Sequence, residues 1–512
     1  MTLYETLAQY FIEDIQAQKL PVGTRLPALR SIAKQHQVSL STATKTYDYL
    51  QQMGWIYAQP QSGYFVANQI TNTAFPTLNA HDLTLKGLEQ RDPKRFAPSS
   101  GYNPASALFS PLGTSMISPD LQPSIALQRS IKRVTRRAGK HLFQYPDTQG
   151  DSGLRNALAE HFRYNNLAFS ATDFVITNGC IDAVKLAIES LTKEGDTIAI
   201  SSPCFSGLLD LLSALSRKVI EIPISDKGLD LDHLEAILQQ GLIKASLFST
   251  SNMNPTGMTL PIEQKQALAR LAAQYETPMI EDDVYFELGH QKQPTLPAKY
   301  WDKNGYVIWC GSFSKTLAAG LRLGWCVPGR YFASYLNQHA LTSFGVNGLM
   351  QSCMAEFINT GEYRSHVNKV RVVLTQHIHR YQQFLIEQLP DNANISTPQG
   401  GIVLWVQIPG LNAVQLEKDA QKQDIDIRSG ACFSTHDFYH DCFRINCGWP
   451  LEDNRDENTV DKQGIYQQLS TLCLLVKKNV KSFNRHTIVA INQTATAISQ
   501  RHESSHDEGE SA

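Results

Sequence analysis

Residues 306–324 read YVIWCGSFSKTLAAGLRLG. Tyr306-Val-Ile-Trp309 is a short apolar run of strand type, and Ser312-Phe-Ser-Lys315 follows it closely. Arg322 comes seven residues after the lysine, inside Gly320-Leu-Arg322-Leu-Gly324. A lysine amine condenses with an aldehyde, while a hydroxyl and a guanidinium suit a phosphate dianion, so this spacing fits a ligand that carries both groups. Standing alone, the same residues also fit a surface Ser/Lys turn.

Outward from this stretch the pattern repeats. Phe174-Val-Ile-Thr177, Thr197-Ile-Ala-Ile200, Val219-Ile-Glu-Ile222, Ala245-Ser-Leu-Phe248 and Pro278-Met-Ile280 are short apolar strands separated by amphipathic helical segments. Such alternation predicts a largely parallel sheet covered by helices, with ligands at the strand ends. Three further motifs fall on predicted strand ends: Asn254-Pro-Thr-Gly257, Glu281-Asp282-Asp283-Val-Tyr285 and Phe443-Arg444-Ile-Asn446. Each has a plain reading by itself, as a turn, a solvated strand end or a surface charge. Their order and spacing together point to one site. A long helical stretch over 362–389 leads to a smaller α+β segment ending near 475, and the polar tail 476–512 is expected to be disordered.

On these motifs residues 96–475 resemble a fold-type I, class I/II aminotransferase. The resemblance implies pyridoxal 5'-phosphate as cofactor, Lys315 as its Schiff-base lysine and Asp282 as the partner of its pyridine nitrogen. It places Asn254 and Tyr285 on the cofactor 3-oxygen, and Ser312 and Arg322 on its phosphate. A helix opens at Thr177-Asn-Gly179-Cys180-Ile181, whose N–H groups would also receive the phosphate. Cys180 stands where relatives often carry a serine, so binding there rests on backbone amides. Phe205 matches an aromatic that stacks on the cofactor ring, or else is a core residue. Arg444 is similar to the arginine that clamps a substrate α-carboxylate. Tyr145 resembles a tyrosine that reaches the phosphate of a neighbouring subunit, which implies a homodimer, although it fits a core position equally.

The N-terminal residues have another character. Leu3, Leu7, Phe11 and Ile15 recur at i, i+4 on one helix face. A break at Pro21-Val-Gly23 precedes a short helix over Leu29–His36, and Ser39 is placed to cap a second helix running to about Met53. Trp55–Gln59 and Tyr64–Val66, around Pro60-Gln-Ser-Gly63, form a hairpin. Residues 1–68 resemble the GntR-type winged helix, a module that binds duplex DNA. Arg30, Lys34 and Lys45 lie in a stretch without acids. Arg30 and Lys45 suit phosphates, and Ser41 and Thr42 suit base edges. Leu40 departs from the family, which often has arginine there, and a protein-interaction role for the module stays open. Residues 69–95 read as a linker with one short helix near Leu83–Leu88.

The fusion of the two parts is the arrangement of the MocR-like regulators. It implies a transcription regulator whose large domain answers an amino acid or amine effector; the alternative is an active aminotransferase with an accessory winged helix. A net charge of −2 confines any nucleic-acid contact to a local patch. Nine scattered cysteines without a CxxC pair, no export signal and no apolar run long enough to span a bilayer fit a reduced, cytoplasmic protein. The run from Gln128 to Lys140 holds six basic residues and fits either a solvated face or a DNA contact. Cys432, His436, His440 and Cys442 match no standard zinc spacing, so no metal is expected.

Overall fold

The computed structural model describes residues 3–59, 62–67, 75–76, 90–91, 110–139, 144–291, 295–451 and 464–480. The first domain is three helices, Leu3–Gln16, Leu29–Gln35 and Leu40–Gln52, followed by β1 (Ile56–Gln59) and β2 (Gly63–Val66). Leu7, Phe11 and Ile15 are buried as the periodicity requires, joined by Ala8 and Ile12, whereas Leu3, the first residue of the helix, is 62% exposed. Ser39 caps the third helix, its Oγ accepting the Thr42 N–H at 3.1 Å. Tyr47 buries its ring and donates its hydroxyl proton to the Pro27 carbonyl at 2.8 Å, which ties the third helix to the chain before the second. The hairpin pairs Ile56 with Val66 and Gln59 with Gly63.

Of the segment expected as a linker, only 75–76 and 90–91 are described. Phe75 packs on the core of the large domain, and Arg91 exchanges backbone hydrogen bonds with Val219. The short helix expected near Leu83–Leu88 lies outside the described residues.

The large domain is built on β3 (Val175–Thr177), β4 (Thr197–Ser202), β5 (Lys218–Ser225), β6 (Gly228–Leu229), β7 (Ala245–Phe248), β8 (Met279–Asp282), β9 (Val307–Ser312) and β10 (Gly324–Val327). They lie in the order β3-β10-β9-β8-β7-β4-β5-β6. The run from β9 to β5 is parallel, and its strands are almost wholly buried, which is why they are largely apolar in sequence. Strand β10 was not expected. It runs antiparallel between β3 and β9, and a Cβ on Gly324 would press into the backbone of Gly179. Glycine therefore lets the two site segments around 179 and 322 approach each other.

A helix over Glu362–Gln388 connects to a second, antiparallel sheet of β11 (Asn394–Ile395), β12 (Val403–Gln407), β13 (Arg428–Ser429) and β14 (Cys442–Asn446), in the order β11-β12-β14-β13. Register sets Arg428 directly opposite Arg444. A last helix over 465–480 buries Ile465, Leu469, Leu472 and Val476 against this sheet, so the folded core continues past residue 475. Residues 481–512 lie outside the described ones.

Candidate functional site

Where the ends of β8 and β9 face β14 there is a cavity of about 500 Å³. Asp282 is the last residue of β8 and lines it. The strand pleat sorts the three acids. Glu281 turns away and accepts hydrogen bonds from Thr250 Oγ1 (2.5 Å) and the backbone N–H groups of Ala298 (2.7 Å) and Lys299 (3.0 Å). Asp283 accepts from Trp309 Nε1 at 3.2 Å, and burial followed by the charge of Glu281 pushes its pKa up to about 7. Asp282 accepts from the Cys180 thiol at 3.0 Å. Burial raises its pKa, opposed by that thiol, by the Val284 N–H and by the charge of Lys315.

The opposite wall is built from the start of a helix, Arg322 and Ser312. The helix Cys180–Leu191 starts with Gly179 at φ +98° and no side-chain cap. Arg322, itself left-handed at φ +50°, donates to the Asn178 carbonyl at 2.9 Å, and a Cβ on Gly179 would crowd its guanidinium. Ser312 donates to the Leu323 carbonyl at 2.9 Å and accepts the Ser314 N–H at 3.0 Å. Ser314 lines the cavity too, and sequence reasoning had not singled it out. Phe205 borders the cavity just before the helix Ser206–Ala214, where Gly207 leaves room for its ring, and Ile181 sits at the rim.

Lys315 follows β9 and reaches in. Its Nζ lies 5.8 Å from the centre of the Tyr285 ring and donates to the Ser115 carbonyl at 2.5 Å. Asn254 donates to Ser115 Oγ at 3.0 Å. Arg444 is 3% exposed and donates to Ser115 Oγ (2.8 Å), Asn254 Oδ1 (3.2 Å) and the carbonyls of Thr114 (3.1 Å) and Gly113. Burial and then the charge of Arg428 push its pKa down to about 10. The segment around Ser115 carries no recognisable motif, so its place in the site was invisible beforehand. Tyr145 is outside the cavity, 91% exposed, and is not a core residue.

In the winged helix, Arg30, Ser41 and Lys45 are exposed. Thr42 is half-buried, and both it and Ser41 place a hydroxyl against the capping Ser39 Oγ, at 2.8 and 2.9 Å. Of the basic run, Arg133 is bound to Glu356 and Glu362, whereas Arg129, Lys132, Arg136 and Arg137 are exposed. Cys432 donates to the Ser429 carbonyl, His436 stacks on Phe438 and Cys442 donates to Asp441. Among the described residues no three such side chains gather as metal ligands would.

A winged helix joined to a fold-type I aminotransferase domain defines a two-part protein, and comparison with known proteins gives the same division. Residues 3–66 match the family model for bacterial regulatory proteins of the gntR family, and residues 118–457 match that for aminotransferase class I and II. The HTH-type transcriptional regulator YjiR of Escherichia coli K12 is 32% identical over 470 residues, covering 89% of this chain and 97% of its own. YdcR of the same organism is 31% identical, covering 91% and 98%. Among solved structures, the multiple substrate aminotransferase of Thermococcus profundus superposes with a TM-score of 0.66 at 24% identity, over 74% of this chain and 93% of the other. The chain belongs to the MocR-like transcriptional regulators, in which a GntR helix-turn-helix domain is fused to a class I/II aminotransferase domain. Pyridoxal 5'-phosphate is the cofactor of that aminotransferase family. Among the described residues no helix is long and apolar enough to cross a membrane.

Proposed function

We propose that this regulator binds pyridoxal 5'-phosphate in the cavity, exchanges an amino acid effector onto it, and changes its hold on DNA as a result. The observation that carries the reading is the meeting of Lys315, Asp282 and Arg444 in one cavity of a chain that begins with a winged helix. The residues fit the cofactor. The uncapped helix start, the glycine that a Cβ would crowd and Arg322 cradle a dianion. Ser312 and Ser314 add hydroxyls beside it. Asp282 holds a proton on the ring nitrogen, Asn254 and Tyr285 address the 3-oxygen, and Phe205 covers one face of the ring. Bound there, the cofactor supplies an aldehyde for amine exchange and a ring that draws electrons from the attached group. Arg444 takes the effector carboxylate, and exposed Tyr145 is set to complete the site of a second copy, which makes the protein a homodimer in the cytoplasm.

The test is operator DNA anisotropy across a panel of amino acids and amines. Each compound that alters the visible spectrum of the protein is expected to shift DNA affinity by about five- to 150-fold. By linkage, DNA shifts the affinity for that compound equally. Spectral change without any change in DNA binding would leave the alternative of an aminotransferase with an accessory domain.

On the DNA side, Arg30→Ala and Lys45→Ala are each expected to weaken binding on every duplex and to reduce the salt slope by about one, while Ser41→Ala alters preference among sequences. Thr42→Ala, at a half-buried position, is expected to alter preference less than Ser41→Ala, and it keeps the backbone N–H bond that caps the helix at Ser39. Salt titrations on operator and random duplexes measure this, and an Arg30→Ala protein with wild-type affinity at every salt concentration takes Arg30 out of the interface.

A further inference from the structure

We infer that residues 113–116 form a self-blocking strap that holds Arg444 in place of the effector carboxylate, and that the effector must displace it. This rests on the proposed reading of Arg444 as the carboxylate site and adds how access to that site is controlled.

The argument begins with the protons of one guanidinium. A terminal nitrogen of arginine carries two, and each terminal nitrogen of Arg444 makes two hydrogen bonds: one to Ser115 Oγ and Asn254 Oδ1, the other to the Gly113 and Thr114 carbonyls. Nε is buried, with no hydrogen-bond partner among the described residues. Three of the four acceptors belong to the strap, so a carboxylate gains a bidentate grip only when the strap leaves. All four are neutral, and among the described residues no acid forms an ion pair with Arg444. A carboxylate is therefore the stronger competitor for a buried cation.

Ser115 stands in for a ligand in a further respect. Its hydroxyl accepts from Arg444 and from Asn254, and its carbonyl accepts from Lys315. One residue thus spans the lysine, the asparagine and the arginine of the proposed site. The strap is fastened by neutral, exchangeable contacts: Asn446 Nδ2 donates to the Pro111 and Met116 carbonyls (3.1 Å each) and to Thr114 Oγ1 (3.0 Å). Gly113 lies against the Asp426 carboxylate so closely that a Cβ would collide with it. The fraction of molecules with the strap released then sets the apparent effector affinity.

Two variants loosen the strap by unrelated means. Ser115→Ala removes the hydroxyl that serves Arg444 and Asn254, and Gly113→Ala forces a methyl group against Asp426. The probes are L-alanine and ethylamine, its counterpart without a carboxylate, titrated into the full-length, cofactor-loaded protein and followed by visible absorption. The preference for L-alanine over ethylamine is expected to rise about fivefold or more in both variants. An unchanged preference in both, while Arg444→Ala abolishes it, overturns the strap and leaves the carboxylate reading standing. If Arg444→Ala keeps the wild-type preference, the carboxylate reading falls and the strap falls with it. A parallel gain for both probes would mean general loosening, and also overturns the strap.

Discussion

Lys315→Ala is expected to abolish the visible absorption of the purified protein and to leave borohydride no lysine on which to fix the cofactor. Among the described lysines, Lys315 is the one that lines the cavity. Two others near the site are committed elsewhere. Lys265, whose pKa burial lowers, donates to Ser251 Oγ at 2.8 Å and to the Leu296 carbonyl at 3.1 Å, in the cluster of Asp283 and Glu281 on the far side of β8. Lys299 is paired with Asp302 at 2.9 Å and donates to the Val307 carbonyl at 2.6 Å. Moving either amine into the cavity would break a buried ion pair or leave buried acceptors unpaired, a loss that a single imine does not offset. The variant keeps the phosphate corner, because none of Gly179, Ser312 or Arg322 bonds to the lysine side chain. It should therefore still take up cofactor, reversibly. Reduction followed by peptide mapping decides the matter: label on any other lysine in the wild type removes Lys315 from the role.

Much of the site was legible because its residues sit at strand ends, where local apolar runs announce both the strand and the point at which it stops. Lys315, Asp282 and Asn254 were found in that way. Pairing between distant strands leaves no such trace. Strand β10 is four residues long, begins with glycine and directly follows a motif that reads as a loop, so nothing local announced it. The three consecutive acids at the end of β8 show the limit from the other side. Composition cannot say which one enters the cavity, but the pleat does, since Glu281 and Asp283 must share a face once Asp282 has the other. Cys180 was expected to leave phosphate binding to backbone amides, and the bond from its thiol to Asp282 had no local sign in the sequence. The strap at Ser115 was out of reach for another reason. It enters largely through backbone carbonyls, which every residue has.

Asp282→Asn is the second large effect expected. The variant should still load cofactor, since Lys315 and the phosphate corner are untouched, yet react with amino acids more slowly by on the order of 10² to 10³. An asparagine is the same size and can hydrogen-bond a ring nitrogen, but it carries no negative charge to hold a proton there. In the proposed reading that task falls to the wild-type carboxylate. It is 6% exposed and would be costly to keep charged in isolation. The Cys180 thiol and the Val284 N–H donate to it, and the charge of Lys315 also favours its ionised form. A cation on the ring nitrogen would complete the set. The measurement is stopped-flow absorbance with a saturating amino acid, together with a pH titration of the visible band to show that the ring nitrogen has lost its proton. A wild-type rate in the variant could not be rescued by assigning the role to a neighbour. Asp283 faces Trp309 and Glu281 is occupied by Thr250 and two backbone amides, all outside the cavity. Asp210 and Asp426 do border the cavity, but they lie on the helix Ser206–Ala214 and beside β13 rather than at the end of β8, and Asp426 is tied to Arg428. Such a rate would therefore count against the electron-drawing use of the cofactor in this protein, not merely against one residue.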